Sequence, residues 1–405
     1  MTEWRKRCLG EITSFMSKGI PPKYVERENE NTVRVLNQKC NRNFEINYEE
    51  SRLHDCSKKK VPADKMLRPG DVLINSTGTG TAGRVAQLYD VPTSTTIDGH
   101  MILLRPTEEI DSIYYGYVVK AFQPQIETLA EGSTGQTEIN RKRLQEEIVI
   151  SFPKEKETQD CIAHFLLNID EKIKVNNKIN KNLEQQAQAI FKSWFVDFDP
   201  FGGNRPIDWI TGIVDDLGAE IICGKTPSTK KKEYYGGNTP FITIPDMHGC
   251  VYNVSTERYL SAAGVASQPK KMLPHNTVCI SCIGTAGLVT LVSEKSQSNQ
   301  QINSIVPKEG ISAYYIYLLM QTLSETINKL GQSGSTIVNL NKTQFGKIPV
   351  TIPSEQVLCN FDTLCKPLFE MILSNQKENI KLANLRDTLL PKLMAGELDV
   401  SDLDL

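Results

Sequence analysis

Residues 157–197 and 356–395 carry the same apolar rhythm, and that rhythm constrains the chain more than any other feature. In the first stretch Ile162, Ile169, Asn176, Leu183 and Ile190 fall seven apart. Leu166, Ile173, Asn180, Ala187 and Trp194 follow four residues behind. In the second stretch Phe361, Leu368, Asn375, Leu382 and Leu389 form one series. Cys365, Ile372, Asn379, Arg386 and Leu393 form the other, each position being the first plus 199. Two interleaved series of this kind put one stripe on one helix face, the pattern of a coiled-coil seam. The asparagines sit mid-stripe in both stretches. An amide in a seam weakens it but fixes its register, because a shifted partner leaves the amide buried and unpaired. If the helices pair antiparallel, Asn176 meets Asn379, Asn180 meets Asn375, Ile162 faces Leu393 and Ile190 faces Cys365. Two unrelated amphipathic helices, each packed on its own domain, are the plainer alternative, and they leave the matched asparagines without a reason.

The segments between the helices repeat as well. Trp209 answers Trp4 and Gly224 answers Gly19 at an offset of 205, and Thr285-Ala286-Gly287 answers Thr81-Ala82-Gly83 at 204. Leu340-Asn341 answers Ile139-Asn140 at 201, and Ile352-Pro353 answers Phe152-Pro153 at 200. The chain therefore reads as a duplicated unit, a mixed α/β globule followed by a long helix, with the two copies related as an isologous pair would be. The expected fold class is α+β: two repeated globules separated by two long helices that pair as an antiparallel coiled coil with pseudo-two-fold symmetry. The expected boundaries are 1–154 and 200–354 for the globules, 155–199 and 355–396 for the helices, and 397–405 for a tail. Within the first globule Val33–Leu36, Asp71–Ser76, Val85–Leu88 and Ile148–Ile150 read as strands and Ile113–Phe122 as a helix. Gly132-Ser133-Thr134-Gly135 reads as a loop. A seam from Ile162 to Trp194 spans about 50 Å at ~1.5 Å per residue, long enough to hold two modules at half-sites on DNA.

Composition narrows the classes. The chain of 405 residues is 39% hydrophobic and 23% charged, enough apolar material for real cores. No apolar run reaches the ~18 residues of a membrane span, and no secretory segment follows Met1-Thr2-Glu3-Trp4. Ten irregularly spaced cysteines point to reduced thiols and a cytoplasmic setting. The net charge of −2 carries no global nucleic-acid signal, so any DNA contact is local. Catalytic signatures are missing. Ala219–Thr226 fits a loose phosphate-loop pattern but lacks its first glycine, crowds the loop with Ile221, Ile222 and Cys223, and is followed by Pro227. Asn238-Thr239-Pro240-Phe241 matches only part of an adenine-methyltransferase loop, with no cofactor glycines upstream. Cys279 and Cys282 make half a zinc spacing inside an apolar strand pattern. The five histidines form no ligand set.

Local basic clusters are the candidates for nucleic acid. Lys58-Lys59-Lys60 and Arg141-Lys142-Arg143 fall in the first globule, Lys230-Lys231-Lys232 and Lys270-Lys271 in the second. Lys230–Lys232 precede Tyr234, which sets phosphate-pairing cations beside an aromatic ring. Arg84 closes the glycine-rich loop Thr77–Gly83.

Phe191-Lys192-Ser193-Trp194-Phe195-Val196-Asp197-Phe198-Asp199-Pro200 and Leu385–Leu398 resemble the helix-end motifs of type I restriction–modification specificity subunits. Gly224-Lys225-Thr226-Pro227 and Asn339-Leu340-Asn341-Lys342 resemble that family's recognition domains. Pro21-Pro22 and Glu138-Ile139-Asn140-Arg141 depart from its usual runs. The resemblance covers the whole chain. It implies a non-catalytic subunit that reads a bipartite site on double-stranded DNA, with Lys342 added to the DNA contacts. It also implies docking of two modification subunits through Trp194, Phe195, Phe198, Arg386 and Leu390, with two restriction subunits joining. S-adenosylmethionine, ATP and magnesium would belong to those partners, and base flipping to the modification subunit. A fused restriction–methylation enzyme and a coiled-coil scaffold without DNA are the rival readings.

Overall fold

A computed structural model of the chain describes residues 3–132, 137–332 and 338–398. The loop expected at Gly132–Gly135 lies largely outside the described residues, as does most of the tail. The chain divides into two compact units, Met1–Glu171 with Ala383–Leu405, and Lys172–Leu382. The division falls inside both long helices, a central one over Lys156–Phe195 and a last one over Glu355–Met394.

In the first unit, strands Thr13–Lys18, Met101–Pro106, Val72–Asn75 and Val85–Gln87 lie side by side in that order, every pair antiparallel. Val72, Leu73, Ile74, Ile102 and Leu104 are each at most 1% exposed, so this short sheet is buried on both faces. The helix Ser112–Ala121 begins where Asp111 accepts the amides of Ile113 and Tyr114, which satisfies two first-turn donors. Strand Trp4–Cys8 pairs with Val149–Pro153 and brings the globule's two ends together. A second small sheet runs Thr95–Ile97, Thr32–Leu36, Arg52–Asp55, Tyr24–Val25.

The second unit builds the same plan. Gly218–Cys223, Ile302–Pro307, Val278–Ser281 and Val289–Val292 repeat the strand order, extended by Tyr252–Asn253. Ala313–Thr322 follows, its start held by Ser312, and Ile210–Ile213 pairs with Pro349–Ile352. The turn glycines explain one repeat match. A Cβ on Gly19 would sit 2.1 Å from the Ile97 carbonyl oxygen, and on Gly224 2.1 Å from that of Asn299. Only glycine lets those backbones approach.

Both units take a piece of each long helix into their cores, and in both the two pieces run antiparallel. In the first, Ile162, Ala163 and Leu166 join Leu390, Leu393 and Met394 in one buried cluster. In the second, Ala187 and Phe191 join Phe361, Cys365, Phe369 and Ile372. Burying side chains of this size stabilises each by about 1.5–3 kcal/mol. The second unit also contains an amide layer. Asn176, 1% exposed, donates to Asn379 Oδ1 at 2.8 Å and to Glu378 Oε2 at 2.7 Å. Asn379 donates to Asn177 Oδ1 at 2.8 Å, and Asn375 to Asn180 Oδ1 at 2.9 Å.

Replacing Asn176 alone by leucine is expected to destabilise the second unit by about 1–3 kcal/mol, because Asn379 Oδ1 and Glu378 Oε2 lose the donor they share. The double change Asn176→Leu with Asn379→Leu should raise the melting temperature but loosen register. Calorimetry reads the first effect. A double variant whose distances between the two helices, read with paired spin labels, stay single-valued and unaltered would count against the register role.

Candidate nucleic-acid interface

The basic residues divide sharply by what already holds them. In the first unit Lys58, Lys59 and Lys60 are exposed on the loop after Arg52–Asp55, with Lys58 3.7 Å from Asp55. Arg141 and Lys142 are exposed on the first turn of Arg141–Glu147, whose start is capped by Asn140. Arg143 is different. Its guanidinium bonds Glu147 at 2.6 Å and also Glu131, and these carboxylates hold it above its usual basicity. That answers its charge internally and takes it out of the set of free cations. Arg84, half-buried, turns back on its own loop to the Gly80 carbonyl at 3.1 Å. The Thr77–Gly83 loop is shaped by protein contacts too: a Cβ on Gly83, at φ +91°, would meet the Glu127 backbone at 2.8 Å.

In the second unit Lys230, Lys231 and Lys232 are exposed ahead of the half-buried Tyr234. The Lys231 ammonium donates to the Tyr234 hydroxyl at 3.1 Å and lies 5.0 Å from the ring centroid, and that hydroxyl holds its pKa above the ordinary value. Lys270 is exposed and Lys271 half-buried on the turn Pro269–Lys271, and Lys342 is exposed at the start of Lys342–Gly346.

One group was not legible as a cluster. Lys18, at the end of its strand, pairs with Glu138. With Glu131, Ile139, Asn140 and Arg141 they line a cleft of about 380 Å³. Burial, and then the Arg141 charge, push the Lys18 ammonium's pKa down. The signal available was the position of Lys18 immediately before the repeated Gly19 turn.

The motif at the end of the central helix serves its own unit. Phe195 lies 4.8 Å from Tyr315, 4.9 Å from Phe361 and 5.6 Å from Trp209, while Trp194 lies 6.0 Å from Phe361 and Phe198 5.8 Å from Trp209. These pairs pack edge-on, except Phe195–Trp209, which is tilted at 44°, and such pairs contribute beyond their area. Leu390, 6% exposed, is in the first unit's core, and the Arg386 guanidinium is held by Asp170 and Asp387. Leu390 and Arg386 are thus engaged within the first unit, whereas Trp194, Phe195 and Phe198 stay partly exposed.

The loose phosphate-loop match is a strand and turn, because the Lys225 amide is taken by the Ser298 carbonyl at 2.9 Å. Cys279 and Cys282 are buried free thiols, and burial pushes both up to about 12. Among the described residues no cluster of His, Cys, Asp or Glu could hold a metal ion, and no helix is long and apolar enough to cross a membrane.

Residues 1–185 and 206–360 match the family described as type I restriction modification DNA specificity domain. The specificity subunit of the type I restriction enzyme HindI of Haemophilus influenzae is 30% identical, over 98% of this chain and 100% of that one. The MjaIX specificity subunit of Methanocaldococcus jannaschii is 25% identical over 89% of this chain and 83% of that one. In fold, the crystal structure of the type I restriction–modification S subunit from M. genitalium superposes with a TM-score of 0.60 at 18% identity, covering 97% of this chain and 96% of that one. The chain belongs to the family of type I restriction–modification specificity subunits.

Lys230, Lys231 and Lys232 all changed to alanine should weaken DNA binding and flatten its dependence on salt, by up to about 2.7 in the slope of log K against log[salt]. Fluorescence titrations at several salt concentrations read the slope, and an unchanged one removes this loop from the contacts.

Proposed function

We propose that this chain is the non-catalytic DNA-reading adaptor of a type I restriction–modification complex. Each recognition globule, 1–154 and 200–354, reads one half of a bipartite site on double-stranded DNA, and the helices set the gap between the halves. Two modification subunits dock on the chain and bring S-adenosylmethionine and the adenine-N6 chemistry. Two ATP-driven, magnesium-dependent restriction subunits complete the assembly. One observation carries this reading: the chain builds the same sheet-and-helix globule twice, and each copy closes its core on both long helices. Two similar readers on one frame suit a two-part site. The exposed lysines Lys58–Lys60, Lys142, Lys230–Lys232, Lys270 and Lys342 supply phosphate contacts, which position a protein on a duplex without specifying sequence.

Co-expression with the neighbouring modification subunit in a methylation-free host, followed by a genome-wide N6-methyladenine map, tests it. The expected result is one motif of two short halves with a fixed gap. Exchanging residues 1–154 for another family member's globule should then change one half and spare the other. A complex that forms and marks no motif would sink the proposal.

A further inference from the structure

The first unit holds a half-buried charge cluster that neither the seam nor the phosphate contacts explain. Asp170, on the central helix, accepts the Tyr117 hydroxyl at 2.8 Å, and the Lys120 ammonium stands 3.5 Å from the same oxygen. Its other oxygen takes the Arg386 guanidinium from the last helix, which also bonds Asp387 at 2.8 Å. The Lys120 ammonium lies 4.3 Å from the centre of the Phe44 ring. Tyr117 is 1% and Lys120 8% exposed. Burial pushes the Lys120 ammonium's pKa down, and the Asp170 charge opposes that. One carboxylate thus ties the globule's helix Ser112–Ala121 to both long helices.

The second unit is built differently at the matching place. Tyr317 and Gln321, on Ala313–Thr322, each donate to Glu184 Oε1 at 2.8 Å. Tyr317 sits edge-on to Phe369 at 5.5 Å, and Phe369 stacks on Tyr314 at 4.6 Å. No cation among the described residues pairs with Glu184. By the helix repeat, Phe369 is the counterpart of Asp170 and Ala187 of Arg386, each at an offset of 199. Apolar contacts of this kind are non-directional, whereas a carboxylate shared by two cations and a phenol fixes distances and angles.

We propose that Asp170 is a positioning residue that locks the first globule at one angle on its helix pair, and through that angle fixes the gap between the half-sites. The proposal rests on the adaptor reading. Asp170→Asn keeps the side chain's shape and removes its charge, leaving Lys120 and Arg386 without their shared anion. A companion variant, Lys120→Met with Asp170→Ala and Arg386→Ala, removes all three charges and leaves only the exposed Asp387 carboxylate and the Tyr117 hydroxyl without their partners, so it strands no buried charge and serves where Asp170→Asn does not fold.

The test is the N6-methyladenine map of the assembled complex carrying either variant. Both halves of the motif are expected to keep their sequences while the gap loses its uniqueness, with sites of neighbouring gap length modified within about tenfold of the principal site. Ile126→Ala, which opens a cavity in the same unit at a residue outside the cluster's hydrogen bonds and ion pairs, should lower stability and keep a single gap. A unique gap in the folded variants overturns the proposal, as does equal broadening in Ile126→Ala. A wild-type complex with no bipartite motif overturns the adaptor reading and the lock together.

Discussion

Where Asn176 donates to Asn379 at 2.8 Å and Asn375 to Asn180 at 2.9 Å, the long helices have one register that pairs every amide. A shift by a heptad would set these groups against Leu183, Leu368 or Leu382, and an unpaired buried amide costs about 1–3 kcal/mol. The apolar positions around them, from Ile162 to Trp194 and from Phe361 to Leu393, supply most of the burial but would accept several alignments. Attraction and register are therefore divided between different residues on the same two helices. Each globule closes its core on that frame, so an error in register would displace the helix faces on which the globules rest.

The units attach to the frame by different chemistry. In the second, aromatic packing of Phe191, Phe195, Tyr315, Phe361 and Phe369 dominates. In the first, Leu390, Leu393 and Met394 cover Ile162 and Leu166, and a charged cluster at Asp170 sits beside them. Buried ion pairs are poor contributors to net stability, because desolvation offsets most of their attraction. Their directional geometry is what distinguishes them from the apolar contacts next door.

Much of the architecture was legible because it is periodic or repeated. The heptads exposed both long helices, the family resemblance implied their antiparallel direction, and the offsets between 199 and 205 exposed the duplication. Strands such as Val72–Asn75 show as apolar runs, but two-residue strands such as Tyr24–Val25 carry no period and could not be read. Charge pairing is the harder problem. Arg143 looks like a free cation in sequence and is held by Glu131 and Glu147, while Lys18 and Glu138 are ordinary residues that only the fold brings together. Asp170 and Arg386 stand 216 positions apart, and although Arg386 shows as a charge in the seam series, nothing local names its partner. The aromatic run ending the central helix announced an apolar surface without saying that Trp209 and Tyr315 would cover much of it.

The shared helices have a consequence for how the chain is made. Residues up to Glu171 leave the ribosome with Ile162 and Leu166 uncovered, because Leu390, Leu393 and Met394 have yet to be translated. At elongation rates of about 5–20 residues per second, that interval is on the order of ten seconds or more. The second unit, continuous from Lys172 to Leu382, is complete first although it begins later. Newborn chains thus present a greasy, unfinished N-terminal half for many times the span in which small domains collapse. Two such chains on neighbouring ribosomes, with matching heptads, have the means to cover each other. The fold is one whose first unit begins first and is finished last.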